Sequence, residues 1–418
     1  MAGARYADFL ARLDRTRTLG VALGLERTRS ALDRLGNPER RVAAVQIAGT
    51  NGKGSVAAMT DAILRAAGVH TGLFTSPHLS RFTERIRIQG REIDGDHLAE
   101  LYDAIVATAI PLTYYEIGTV LAFAAYAEAG VELMVLETGL GGRLDAATTC
   151  HPVATAITSI GFDHAEILGS SLAAIAREKA GIAKPDIPLF LAPVARQADQ
   201  AIAEVAAAVG APVLRLATDF PEAPFPTALP GAHQHTNAAL AVALARTATT
   251  HLGRALAPSM VQAGLRDVVW PGRLEWLGDH VLIDCAHNAE SAVTLANTLD
   301  RLPRGRRALV VSVVAGKAVK AMLAILAPRF DLVIFTRSAS PRALGPSELA
   351  AAMPAGPGPR TDVADEPLRG LATAREAVGA DGLVVVAGSI FLVGDVRAAL
   401  TGEPRDPVLT SDPPATSV

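Results

Sequence analysis

Short apolar runs alternate along this chain with Ala- and Leu-rich stretches of helical period, the texture of repeated βαβ units and parallel sheets. The runs predict strands at Arg41–Ala48, Val131–Glu137, Val153–Ile160, Pro188–Ala192 and Pro212–Leu216. The proline-rich stretch Pro221–Gly231, PEAPFPTALPG, predicts a loop, and a helix is expected over Asn237–Thr247. After Trp270-Pro271-Gly272 a second βα series begins, with strands expected at Val281–Asp284, Ala308–Val314, Leu332–Thr336 and Leu383–Ala387. The pattern predicts an α/β fold in two domains, one over 1–270 and one over 271–402, with 403–418 as a flexible tail. Pro354–Pro359 reads as loop, and no internal repeat is present.

Composition narrows this picture without redirecting it. At 418 residues the chain is too long for one ordinary core, and 50% hydrophobic against 19% charged residues suits burial and argues against disorder. A net charge of 39 − 42 = −3 gives no sign of a nucleic-acid or anionic-membrane partner. Cys150 and Cys285 have no ligand-like spacing, so a disulfide framework or structural zinc is not expected, and a reducing cytoplasm fits. The first residues lack the apolar core of a signal peptide. The best apolar run, Ala104–Tyr115, contains Pro111 and stops at Glu116, short of a membrane span.

Chemistry enters at VAAVQIAGTNGKGSVAAMTDAILRAAG, where a strand ends at Ala48 and a helix is expected to start near Lys53 and close at Gly68. The loop between them holds Gly49, Thr50, Asn51, Gly52, Lys53, Gly54 and Ser55. Glycines let backbone N–H groups turn around phosphate oxygens, and the helix N-terminus adds its positive end. Lys53 supplies a point charge and Ser55 a hydroxyl for phosphate-bound magnesium. The spelling departs from GxxxxGK[ST], because Gly54 separates lysine from hydroxyl. Glu137 ends an apolar run before Gly139, Gly141 and Gly142, where parallel sheets place ligand sites and a hard carboxylate suits magnesium. Read alone it is equally a strand-terminal acid in a turn. His164, after SIGFD, reads alone as a satisfied structural group, and Lys179 in SLAAIAREKAGI as a solvated lysine.

A set of ordered segments shifts those readings. AGTNGKGS, FTSPHLSRFTERIRI, ETGLGGRLDA, TSIGFDH, REKAGI, GAHQHTNAALA, PGRLEW and IDCAHN together resemble the folylpolyglutamate synthase/dihydrofolate synthase branch of the Mur ligase superfamily. Ser340–Leu344 and VVVAGSIFLVGDV continue the likeness more loosely. The resemblance implies an N-terminal P-loop ATPase domain with a mostly parallel sheet and a smaller C-terminal Rossmann-like domain, with the active site between them. It implies ATP as co-substrate, a pair of magnesium ions, and Ser76, Glu137 and His164 as metal ligands. Lys179 matches a family lysine that is carbamylated to hold the second ion, a change that replaces a cation with hard oxygens. Asn237, Arg273 and Asp284 match nucleotide-binding positions, and His287 with Asn288 belongs to an AHN motif in which Ala289 replaces a common proline. For the pterin-bearing substrate the matching positions are Ala22, Leu23, Gly24 and Leu25, then Thr113, Tyr114, Tyr115 and Glu116, and Leu144, Asp145 and Ala146. Lys317 is retained in VVAGKAVKAM without its usual acidic neighbours.

The implied reaction activates a dihydropteroate or folate carboxylate as an acyl phosphate and joins it to L-glutamate, in a monomer working on small molecules. Lys53 and magnesium would neutralise the phosphates, and closure of the second domain would exclude water. No side chain in the sequence announces itself as the base that frees the amine; His287 is a candidate, and the role stays open. The alternatives are a Mur-type ligase for a peptidoglycan precursor, or a P-loop kinase or nucleotide-binding regulator.

Overall fold

The computed structural model describes residues 3–16, 20 and 23–406. Eight strands form the first sheet: β1 Ala43–Ala48, β2 Thr71–Phe74, β3 Ile86–Ile88, β4 Arg91–Glu92, β5 Leu133–Glu137, β6 Pro152–Ile157, β7 Leu189–Leu191 and β8 Val213–Arg215, ordered β4-β3-β2-β5-β1-β6-β7-β8. From β2 to β8 the pairs are parallel; β3 and β4 add an antiparallel hairpin at one edge. All five residues of β5 are buried, as expected of a parallel strand covered on both faces. One face packs against the helices Lys53–Ala66, His233–His251 and Pro258–Asp267, the other against Ala4–Arg15, Gly95–Ala107 and Tyr114–Glu128.

The second sheet has six strands: β9 Glu275–Trp276, β10 Val281–Asp284, β11 Arg307–Val311, β12 Leu332–Thr336, β13 Arg360–Ala364 and β14 Leu383–Ala387, ordered β13-β12-β11-β14-β10-β9. All neighbours are parallel except β9 with β10. Two predicted strands start two residues late, at Ala43 and Leu133, whereas β10, β12 and β14 match their expected bounds. Strands β2, β3, β4, β9 and β13 escaped the sequence reading, being short or, for the edge strand β13, polar and mostly exposed. The helix expected from Asn237 starts a turn earlier, at His233. The proline-rich stretch 221–231 is irregular, as its composition requires. Residues 403–406, expected in the tail, are instead anchored, with Asp406 only 6% exposed; 407–418 lie outside the described residues. Among the described residues no helix is long and apolar enough to cross a membrane.

This topology decides where chemistry can gather. Strand β1 sits between β5 and β6, with Ile47 opposite Glu137 and Ala48 opposite Ile157. The loops leaving β1, β5 and β6 therefore emerge side by side at the carboxyl edge, where open α/β sheets hold their ligands.

Candidate active site

A cleft of about 360 Å³ opens at that edge and runs to the second sheet. Thr50, Asn51, Gly52, Lys53, Gly54 and Ser55 line it, with Ser76, Glu137, His164, Lys179, Arg273, Asp284 and His287. The three distant stretches around Lys53, Glu137 and His164 thus share one cavity with Asp284 of β10.

The loop 49–52 is shaped by residues that follow β6. Thr50 N–H donates to Ser159 O at 2.9 Å, Asn51 N–H to Ser159 Oγ at 2.9 Å, and Thr158 Oγ1 to Asn51 O at 2.6 Å. Gly52 has φ +89°, and a Cβ there would lie 2.8 Å from Asn237 Oδ1. Asn237 does not line the cleft. It supports Gly52 from beneath and donates to Gln234 Oε1 at 2.8 Å. The odd glycine of the motif has a long-range cause: a Cβ on Gly54 would meet the indole of Trp270 at 2.9 Å, so the linker before the second sheet lies directly on the phosphate loop.

Two lysines converge on the same turn. Lys53 Nζ donates to Gly49 O at 3.2 Å and Thr50 O at 3.3 Å, and Lys179 Nζ to Gly49 O at 2.8 Å. Lys179 is 5% exposed, so it is not the solvated lysine its pattern suggested. Burial, reinforced by the charge of Lys53, pushes its amine down to about 7.

Glu137 Oε2 accepts from the Ser76 N–H at 3.0 Å. Burial raises its carboxyl above the ordinary value against the pull of Lys53, the Ser76 amide and Arg273. His164 takes φ +52° at the entry to a short helix and is 41% exposed toward the cleft. Surrounding protein still disfavours its charged form, so its imidazole is pushed down to about 4 and keeps a lone pair at neutral pH. Among the described residues no three His, Cys, Asp or Glu side chains cluster as a ready-made metal cage. Ser76, Glu137 and His164 line the same cleft, and Glu137 offers the hard carboxylate oxygen that magnesium prefers alongside waters and phosphate oxygens.

The second unit closes the cleft through Asp163, which the sequence reading passed over. Its Oδ1 forms an ion pair with Lys317, and Oδ2 lies 3.4 Å from His287 Nε2 and 3.3 Å from Asn288 Nδ2. Burial would raise this carboxyl, but the His287 hydrogen bond and the charges of His164, Lys317 and His287 hold it well below the usual range. Asn288 Nδ2 also donates to Asn51 Oδ1 at 3.0 Å, tying the second unit to the phosphate loop. Asp284 accepts from the Leu274 and Ala286 N–H groups, both at 2.9 Å, and so braces the linker as well as facing the cleft.

Leu23, Gly24, Thr113, Tyr115, Glu116, Leu144, Asp145 and Ala146 form another stretch of the cleft wall, next to Glu137, whose backbone O accepts from the Tyr115 hydroxyl at 3.3 Å. Ala22 lies outside the described residues. Leu25 and Tyr114 are absent from that wall; Tyr114 is buried beneath it, its ring against Phe82 and the Arg85 guanidinium. Tyr115 takes the cleft position and donates to Asp145 Oδ1 at 3.1 Å. Asp145 also accepts from Gly139 and Leu140 N–H, both at 2.9 Å, yet burial lifts its carboxyl to about 6. Glu116 is paired with Arg27 at 3.0 Å.

A phosphate loop at a parallel-sheet switch point, facing a second α/β unit across a cleft, defines a Mur-type ligase. The Mur ligase middle domain family matches residues 47–187, and the Mur ligase glutamate ligase domain family matches 272–390. Within that class the chain belongs to the dihydrofolate synthase/folylpolyglutamate synthase family. The Bacillus subtilis dihydrofolate synthase/folylpolyglutamate synthase is 33% identical over 91% of this chain and 96% of its own length. A probable bifunctional folylpolyglutamate synthase/dihydropteroate synthase of Haloferax volcanii is also 33% identical over 92% of this chain, which spans about half (49%) of that relative. Among solved structures, E. coli FolC in complex with DHPP and ADP superposes with TM-score 0.87 at 29% identity, covering 95% of this chain and 98% of the other. A bifunctional folylpolyglutamate synthase/dihydrofolate synthase with Mn, AMPPNP and L-glutamate bound gives 0.85 at 31% identity, covering 95% and 98%.

Proposed function

We propose that this chain couples ATP cleavage to amide formation between a dihydropteroate or folate carboxylate and L-glutamate. The carrying observation is the single cleft in which the phosphate loop, Glu137 and His164 face Asp284, His287 and Lys317 of the second unit. Lys53 and the loop amides hold the β- and γ-phosphates, Arg273 reaches them from the linker, and Asp284 faces the nucleotide. Ser76, Glu137 and His164 hold a divalent cation, which supplies charge neutralisation when bound. The wall around Tyr115, Asp145 and Ala146 seats the pterin. The substrate carboxylate then attacks the γ-phosphorus in line, and the glutamate amine displaces phosphate from the acyl phosphate. Asp163, gripping Lys317 and His287, holds the second unit over this intermediate and keeps water away.

Phosphate release from ATP, measured with 7,8-dihydropteroate, a reduced folate and L-glutamate each omitted in turn, tests the reading. Release that needs both a pterin acid and glutamate supports it, and release that needs neither rejects it. Mass spectrometry of the products separates dihydrofolate formation from tail extension.

The same reading takes Lys179 as carbamylated. An amine near 7 is substantially neutral at physiological pH, the form that adds to carbon dioxide. Enzyme depleted of carbon dioxide is expected to lose activity and to regain it with bicarbonate. Recovery should weaken as pH falls below about 7, where the amine is protonated. Bicarbonate-independent activity would exclude the modification.

A further inference from the structure

The last described residues leave the second unit and return to the first. After the helix Ile390–Thr401, Glu403 pairs with Arg397 and Arg405 with Asp395. Asp406 then meets the loop that follows β2. Its N–H donates to Ser80 O at 3.0 Å, and its Oδ2 accepts from the Phe82 N–H at 2.7 Å and the Tyr6 hydroxyl at 2.8 Å. Asp406 is 6% and Tyr6 5% exposed, so these bonds are shielded from water, where bonds to a carboxylate are strong and costly to lose.

The loop held in this way, Ser76–Phe82, starts at the Ser76 that donates to Glu137. Glu84 gathers the N–H groups of Leu79, Ser80 and Arg81 at 2.8–2.9 Å. The Leu79 side chain is buried in the second unit's core, with Val281, Ile283, Leu392 and Val393. Gly394 permits that approach, because a Cβ there would lie 2.3 Å from Leu79 O. Two independent ties, Leu79 and Asp406, therefore bind the second unit to the loop that carries Ser76.

The geometry points to Glu403–Asp406 as a positioning strap: Asp406 fixes the Ser76–Phe82 loop so that Ser76 keeps its place beside Glu137 while the second unit is docked. Asp406 does not line the cleft. It acts through the loop and touches no reactant. The inference rests on the proposal that Ser76 and Glu137 hold the cation.

The test is Mn2+ affinity, read by electron paramagnetic resonance in the presence of AMPPNP, for Asp406→Ala and Gly394→Ala. Each is expected to weaken Mn2+ binding roughly tenfold, the scale on which supporting contacts act on metal ligands. Affinity for metal-free ADP, measured by calorimetry, should match that of the parent protein, because the phosphate loop is untouched. Should Asp406→Ala not fold, Gly394→Ala still decides, since alanine in a helix interior favours the helix and perturbs the loop from its other side. Unchanged Mn2+ affinity in the variants that fold, or ADP affinity falling in step with it, overturns the strap. Ser76→Ala serves as the control: weaker Mn2+ binding in that variant alone removes the strap and leaves the ligand reading standing. Unchanged binding in Ser76→Ala removes the ligand reading itself.

Discussion

Lys53→Ala is expected to lower turnover roughly 10³-fold, the scale seen when a preorganised charge facing a reacting group is deleted. Lys53 Nζ rests on the carbonyls of Gly49 and Thr50, and it makes no ion pair with a described carboxylate. Its charge is therefore left for an anion in the cleft, and the γ-phosphate is the anion whose charge builds during transfer. The fold should survive. The variant loses two hydrogen bonds to carbonyls, on the order of 1 kcal/mol each, and no core contact. Circular dichroism near that of the parent together with lost phosphate release is the expected pair of results. Substantial ligation by a folded Lys53→Ala protein would falsify the phosphate-loop assignment.

Glu137→Gln should be nearly as damaging, with turnover reduced roughly 10²-fold or more and Mn2+ affinity reduced in parallel. The amide keeps the volume and can still accept from the Ser76 N–H, so the loop geometry is preserved while the charge is removed. The parent should also show a pH signature. Because burial raises this carboxyl, turnover at limiting magnesium falls as pH drops through the raised value, since the protonated acid holds no cation. Added magnesium favours the ionised form and moves that fall to lower pH. The glutamine variant lacks this magnesium-dependent limb. A variant with parental magnesium dependence would remove Glu137 from the ligand set.

Residues whose role is set by local chain geometry were legible before any coordinates. The phosphate loop is one strand, one glycine turn and one helix start, whereas Glu137 and His164, read alone, pass for a strand-terminal acid and a satisfied structural group. The resemblance then placed Ser76 and Lys179 beside them. Tyr115 and Tyr114 show the limit of such reading. Both lie at the start of one helix, and packing against Phe82 turns Tyr114 inward and leaves Tyr115 on the cleft. Asp163 carried no local sign at all, because its meaning comes from Lys317 and Asn288, 154 and 125 residues away.

By itself the sequence determined the alternation of strand and helix and the glycine turn between β1 and the helix at Lys53, since each follows from hydrophobic period and glycine chemistry over a few residues. Tertiary structure alone decided which loops share an edge, how far Lys179 is buried, why Gly54 must lack a side chain beneath Trp270, and how Asp406 reaches back to Ser80 and Phe82. Those outcomes depend on strand order and on desolvation by distant segments, quantities that no local window of residues contains.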